Sequence, residues 1–185
     1  MKNILIWGVS RSGKSTLARL VKKDTGHSII ELDHLRCAYQ AMFPKTNDKD
    51  TNATLRLQDM LAKLLSSICH SNETDEYWII EGIDMNMENL LQRIDRDKFV
   101  IVCLGYEYIT PEEKLAEVKQ YQTKYCWTRL HSDNEKLDFC KAWIKDSNLI
   151  KETAKRFDLK YFDTSLNRDK VLAEALKWIK NQLVR

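Results

Sequence analysis

Five short apolar runs punctuate the chain: Asn3 to Trp7, Ser28 to Leu32, Tyr77 to Glu81, Phe99 to Leu104 and Lys160 to Phe162. Each has the length of a strand. Between several of them apolar residues recur at helical spacing, so the pattern predicts a parallel sheet whose two faces are both covered by helices. One helix is predicted over Lys14 to Asp24, where Leu17, Leu20 and Val21 share a face. A second runs over Thr54 to Cys69 through Leu57, Leu61, Leu64, Leu65 and Ile68, and a third over Arg168 to Leu183 through Leu172, Ala175, Leu176, Ile179 and Leu183. Such stripes read as core-packing faces. Thr110-Pro111-Glu112-Glu113 marks a further helix start, with a threonine cap, a proline in the first turn and a glutamate three residues after the cap.

The first run leads straight into Gly8-Val9-Ser10-Arg11-Ser12-Gly13-Lys14-Ser15, a complete G-x-x-x-x-G-K-[ST] pattern, and Thr16 continues it into the helix. A strand entering, glycines that let the backbone curl and a helix leaving with unpaired amides together make a cradle for phosphate. Gly8 and Gly13 allow consecutive N–H groups from Ser10, Arg11, Ser12 and their neighbours to face one anion. Lys14 would reach the β and γ phosphates, and the Ser15 hydroxyl would complete a Mg²⁺ coordination sphere. The competing reading is a glycine-bearing turn with Lys14 as a solvated helix residue; the strand before and the amphipathic helix after favour the phosphate loop. Arg11 either helps hold phosphate or stands exposed at the loop tip.

Two other strand ends carry chemistry. After the second strand come Asp33-His34-Leu35-Arg36, which set a carboxylate within a helical turn of a guanidinium. The carboxylate could take an acceptor hydroxyl's proton and the arginine fork could hold an anionic group; a helix cap with a local ion pair explains the same residues more plainly. The third strand closes on Glu81-Gly82, where an acid could orient a metal-bound water and the glycine could let a ligand approach the backbone. Here the plain alternative is a strand-terminal acid followed by a turn glycine.

The 185 residues suit one domain, 1–185, and the composition, 43% hydrophobic and 31% charged, is that of a globular protein. Two connections, 33–76 and about 105–159, exceed a simple crossover and would rise above the same sheet edge as the phosphate loop. No apolar run is long enough to span a bilayer, and a strand beginning at residue 3 leaves no space for a secretory signal, so a cytoplasmic location is expected. Five cysteines, an odd number without a C-x-x-C pair, argue against a disulfide framework. Cys126, His131 and Cys140 share a segment, but their irregular spacing falls short of a zinc signature. With 30 basic and 27 acidic residues, the net charge of +3 does not favour a long nucleic acid as partner.

The phosphate loop, Asp33-x-x-Arg36, Glu81-Gly82, the order of elements and the length together resemble the small P-loop kinases, the adenylate-kinase-like superfamily of nucleoside monophosphate, shikimate and gluconate kinases. The resemblance spans nearly the whole chain, though only the phosphate loop is highly specific. It implies an α/β P-loop NTPase fold with a five-stranded parallel sheet, ATP with Mg²⁺ as donor, an acceptor-binding insertion over 33–76 and a lid within 105–159. By the same resemblance Arg36 would hold the acceptor's anion, and Ser165 or Arg168, near the fifth strand, would border the adenine; a helix cap with an exposed arginine explains the latter residues equally well. The chain also departs from nucleoside monophosphate kinases. No arginine follows Glu81-Gly82 within Ile83 to Met87, and Arg129 alone stands between residues 105 and 155. That shortage of positive charge argues against a nucleoside monophosphate acceptor. Lys124, Arg129, His131 and Lys136 make 124–136 the lid candidate, against a plain polar loop anchored by Trp127.

The leading expectation is a phosphotransferase that moves the γ-phosphoryl group of ATP to a small hydroxyl- or phosphate-bearing acceptor, as a monomer or homodimer. Lys14 and Ser15 hold donor and metal, Glu81 supports the metal through water, Asp33, Arg36 and Gly82 meet the acceptor, and Arg129 closes from the lid. A kinase acting on nucleic-acid ends or on an antibiotic, or a nucleotide-binding regulatory module with little turnover, are the alternatives.

Overall fold

A computed structural model of the chain describes residues 1–43, 51–70, 76–124 and 126–184. Parts of the 33–76 insertion, 44–50 and 71–75, lie outside the described residues, as does the side chain of Cys69.

The predicted sheet forms, with five strands all parallel. These are β1 (Asn3–Gly8), β2 (Ser28–Glu31), β3 (Trp78–Gly82), β4 (Phe99–Gly105) and β5 (Lys160–Asp163), in the spatial order β2-β3-β1-β4-β5. Successive β1 side chains leave on opposite faces. Ile4 and Ile6 pack with Leu17 and Val21 of α1 (Lys14–Thr25) and with Leu172 and Ile179 of α7 (Arg168–Leu183). Leu5 and Trp7 pack on the other face, in a core that includes Leu61 and Leu65 of α3 (Thr51–His70), Leu90 of α4 (Met87–Leu91) and Trp143 and Ile150 of α6 (Asp133–Arg156). A strand buried on both sides reads as an unbroken apolar run, which is why Ile4-Leu5-Ile6-Trp7 lacks polar alternation.

The second strand ends one residue earlier than its apolar run suggests. Leu32 instead opens α2 (Leu32–Met42) and is fully buried against Gly82, where an added Cβ would come within 2.7 Å of the Leu32 Cβ. Glu31 therefore occupies the cap position, and Asp33 stands in the first turn of the helix rather than capping it.

The Thr110 start is built as the sequence predicts, a reciprocal capping box with Glu113 that opens α5 (Pro111–Gln120). The 105–159 connection holds a second helix, α6, begun by an equivalent box between Ser132 and Glu135. Between α5 and α6 lies a short 3₁₀ turn, Trp127–Leu130.

Candidate active site

The phosphate loop leaves the central strand between its two neighbours. Gly8 is required sterically, since a Cβ there would meet the Leu104 carbonyl oxygen at 2.5 Å. Gly13 adopts a left-handed φ of 97° at the N-terminus of α1, and a side chain on it would run into Leu172 and Arg168. Arg11 also takes a left-handed φ of 63°, a conformation uncommon outside glycine.

Several groups hold the loop from below. Ser12 Oγ donates to the Val9 carbonyl at 2.8 Å, Tyr106 Oη to the Ser10 carbonyl at 3.0 Å and Lys114 Nζ to the Arg11 carbonyl at 3.1 Å. Burial raises the Tyr106 phenol far above its ordinary range, so it stays protonated and remains a donor. Lys114, on α5, is completely buried, rests over the Tyr106 ring and pairs with Glu117 at 2.9 Å. Three of its carbonyls are thus engaged, and two of its amides as well: Val9 N–H donates to the Leu104 carbonyl and Ser12 N–H to the Val9 carbonyl, each at 3.2 Å, so the Ser12 amide does not face the cavity as its sequence position suggests.

At the head of α1, Lys14 is only 9% exposed, and its Nζ donates to the Val9 carbonyl at 3.0 Å. Burial pulls this ammonium below its ordinary value, while the Glu81, Asp33 and Asp84 carboxylates oppose the shift. Ser15 Oγ donates to Glu81 Oε1 at 2.5 Å. Strand pairing makes this contact: Glu81 stands opposite Ile6 on one side and Glu31 on the other, so β3 delivers it beside the strand that feeds the loop. Burial is the main cause that raises the Glu81 carboxyl; Glu31 and Asp33 add to the shift, and the Ser15 bond and Lys14 oppose it.

The raised Glu81 value has a measurable consequence. Because the folded state holds this proton more tightly than the unfolded chain, Glu81's contribution to stability is complete below its ordinary value of 4.5 and is lost as pH rises through the raised folded value. Glu81→Gln should therefore flatten the decline of stability with pH in that window, measured by urea unfolding over roughly pH 4–8. An unchanged slope would show that Glu81 titrates alike in both states.

A cavity of about 550 Å³ opens above these groups. Of the residues singled out in the sequence, Ser10, Arg11, Gly13, Lys14, Ser15, Thr16, Asp33, Glu81, Cys126, Trp127 and Arg168 line it. Gly8 and Ser12 lie beneath, shaping the loop. Gly82 faces Leu32 and serves packing where it stands. Arg36 is drawn away into an ion pair with Asp84 at 3.0 Å, with Asp33 at 3.7 Å. Arg129 is exposed on the 3₁₀ turn, outside the cavity lining. Arg11 meets this segment instead: its Nη2 donates to Thr128 Oγ1 at 3.0 Å and also contacts the Cys126 sulfur. Burial raises the Cys126 thiol, yet the Thr128 hydrogen bonds and Arg11 together hold it below its ordinary value.

Arg168 joins two regions. It donates to Thr16 Oγ1 at 2.9 Å, lies over the Tyr121 ring and faces Glu117 at 4.0 Å. Beyond it a second cavity of about 550 Å³ runs between α5 and the segment after β5, past Tyr108, Ser165 and Asn167. Arg168, Glu117 and Tyr121 line both cavities.

Sequence reasoning missed Tyr106, Lys114 and Glu117, and the cavity-lining Arg19 and Glu31. Lys114 and Glu117 sit three apart on α5, a spacing that reads as an ordinary helix pair until the fold places it under the loop. Among the described residues no three His, Cys, Asp or Glu side chains are grouped so as to hold a metal ion, and no helix is long and apolar enough to cross a membrane.

No family model matches the chain, and no curated protein sequence matches it. Solved structures do match across its whole length. A gluconokinase from Sinorhizobium meliloti 1021 superposes with a TM-score of 0.60 at 14% identity, covering 99% of this chain and 96% of its own. A shikimate kinase from Bacteroides thetaiotaomicron superposes at 0.58 and 15% identity, covering 100% and 99%. A deoxyadenosine kinase from M. mycoides, solved with dCMP and dCDP bound, superposes at 0.50 and 15% identity, covering 99% and 98%. This chain has the fold of the small P-loop kinases.

Proposed function

We propose that this protein is a kinase that transfers the γ-phosphoryl group of ATP, with Mg²⁺, to a small hydroxyl- or phosphate-bearing acceptor. The observation that carries the reading is the arrangement at the head of α1. A buried lysine and a Ser15–Glu81 pair meet beneath one cavity, at the mouth of a loop whose carbonyls are tied back from the anion side. The similar folds of the gluconokinase, shikimate kinase and deoxyadenosine kinase support it.

The donor set suits the groups this reading needs. Loop amides and the Lys14 ammonium fit phosphate oxygens, and the hydroxyl and carboxylate of Ser15 and Glu81 are the hard oxygen ligands that Mg²⁺ takes, Glu81 through water. Magnesium, when bound, supplies positive charge that screens the phosphate oxygens. Lys14 orients the terminal phosphates and opposes the charge that gathers on them. Arg11 brings a second cation to the loop side, and Arg168, which donates to Thr16, borders the neighbouring cavity, where it or Ser165 would meet the adenine base.

Asp33 orients the acceptor hydroxyl and takes its proton, with Arg36, paired to Asp84, 3.7 Å from its carboxylate. Gly82 sets the height of Leu32, from which Asp33 follows. Arg129 is the lid cation that closure would bring inward. ATP and a single acceptor suffice as partners.

Acceptor-dependent ADP release in the presence of ATP and Mg²⁺ tests the proposal. ATP binding without acceptor-dependent release, across sugars, polyols and nucleosides, would instead identify a nucleotide-binding regulatory module.

A further inference from the structure

Glu117 lines the cavity above the phosphate loop, where the charge of a carboxylate opposes that of any polyphosphate the loop would hold. Its side chain is 17% exposed, and each of its two oxygens faces a cation. Oε2 accepts from Lys114 Nζ at 2.9 Å, and Oε1 lies 4.0 Å from Arg168 Nε.

Both cations touch the loop or the helix it opens. Lys114 donates to the Arg11 carbonyl at 3.1 Å, partway along the loop. Arg168 stands at the loop's far end: its Nε lies 3.2 Å from where a Cβ on Gly13 would be, and its Nη2 donates to Thr16 Oγ1 at 2.9 Å. One carboxylate thus joins two cations that brace the loop at Arg11 and at the head of α1.

The cations depend on it in turn. Lys114 is completely buried, and burial pulls its ammonium below the ordinary value; Glu117 is the main group opposing that shift, and Arg168 adds to it. With Glu117 neutral, the ammonium would lose its ion pair while still buried, a costly state. Arg168 would be left to Asp169, which is 3.7 Å away and 74% exposed.

We infer that Glu117 is a positioning residue of the phosphate site, whose carboxylate strengthens polyphosphate binding by fixing Lys114 and Arg168 against the loop. This rests on the proposed nucleotide site and deepens it.

The sign of one substitution tests it. Glu117→Gln keeps the size and a hydrogen-bond acceptor but removes the negative charge. Were the carboxylate a bystander, its loss would tighten anion binding, because a repulsive charge has gone. A positioning role predicts the reverse, binding weaker by at least about fivefold, since the loop loses the brace that preorganises it.

Calorimetry with magnesium tripolyphosphate, which has no nucleoside, and with ATP and Mg²⁺ should show a similar weakening of both probes. Unchanged or tighter tripolyphosphate binding would overturn the inference. So would a loss confined to ATP, which would make Glu117 a contact to the nucleoside, and so would a parent protein that binds ATP but not tripolyphosphate. The double variant Glu117→Gln with Lys114→Met removes both members of the buried pair, leaves the net charge as it is and strands neither charge. It too should bind tripolyphosphate at least about fivefold more weakly, and parental affinity there would overturn the inference even if the single variant fails to fold. A parent protein that binds neither probe would bring down the kinase reading together with it.

Discussion

Lys14→Ala should abolish phosphoryl transfer, lowering turnover by at least about two to three orders of magnitude, and should remove the rise in melting temperature that ATP with Mg²⁺ gives the parent protein. The amine sits 9% exposed at the base of the cavity, and the Val9 carbonyl is its hydrogen-bond acceptor, so a phosphate oxygen would replace a weak neutral partner with a charged one. Alanine removes one of that carbonyl's donors, the Ser12 hydroxyl and amide remaining, and deprives Glu81 of a compensating charge, so the variant should also melt somewhat lower without nucleotide. Lys14→Met keeps most of the side-chain volume and separates the two effects, since it should restore packing but not nucleotide binding. Calorimetry with ATP and Mg²⁺ decides the matter: wild-type affinity in both variants would refute the phosphate-loop assignment.

Asp33→Asn should keep ATP binding and the fold while acceptor-dependent turnover falls by about two orders of magnitude or more, the range for loss of a positioned general base. The substitution preserves size and hydrogen-bonding reach. Asp33 is 59% exposed in the first turn of α2 and contacts Arg36 at 3.7 Å, while the closer Arg36 contact is to Asp84 at 3.0 Å. The ion pair anchoring Arg36 therefore survives, and the fold loses only a small favourable interaction with the helix terminus. A decrease in kcat with an unchanged KM for ATP is the expected pattern. Retained activity with a much lower melting temperature would make Asp33 a helix-end residue and move the acceptor site elsewhere.

The strands were legible because central parallel strands must be apolar throughout, and the phosphate loop because its glycines answer to steric needs that a sequence states outright. Leu32 shows the limit. As an apolar residue it extends the second run, but its packing on Gly82 turns it into the first residue of a helix, a choice made by contact with a strand some fifty residues away. Helix α6 is legible in principle, since Ser132 and Glu135 repeat the signature recognised at Thr110 and Glu113, but charged positions interrupt its apolar stripe. The Ser15–Glu81, Thr16–Arg168 and Arg11–Thr128 contacts were beyond reach as pairs. The strand order β2-β3-β1-β4-β5 makes the first, the packing of α7 on α1 the second and the placement of the 3₁₀ turn the third. Arg36 and Arg129 were chosen for their charge; whether a charge is already matched is decided by neighbours such as Asp84, which no local spacing reveals.

Lys114 reaches the phosphate loop through a main-chain oxygen, that of Arg11, and touches nothing particular to arginine. The two positions should therefore drift differently over time. Residue 11 needs a left-handed backbone, which glycine or asparagine satisfies at least as well, so an exchange there would lose the side-chain contacts to Thr128 and Cys126 and keep the course of the loop. Residue 114 has no such freedom: fully buried, its amine must cross the Tyr106 ring and meet both a carbonyl and Glu117, and a shorter or uncharged replacement would leave both oxygens without that partner. The loop is thus held by a fully buried cation that does not line the cavity above it.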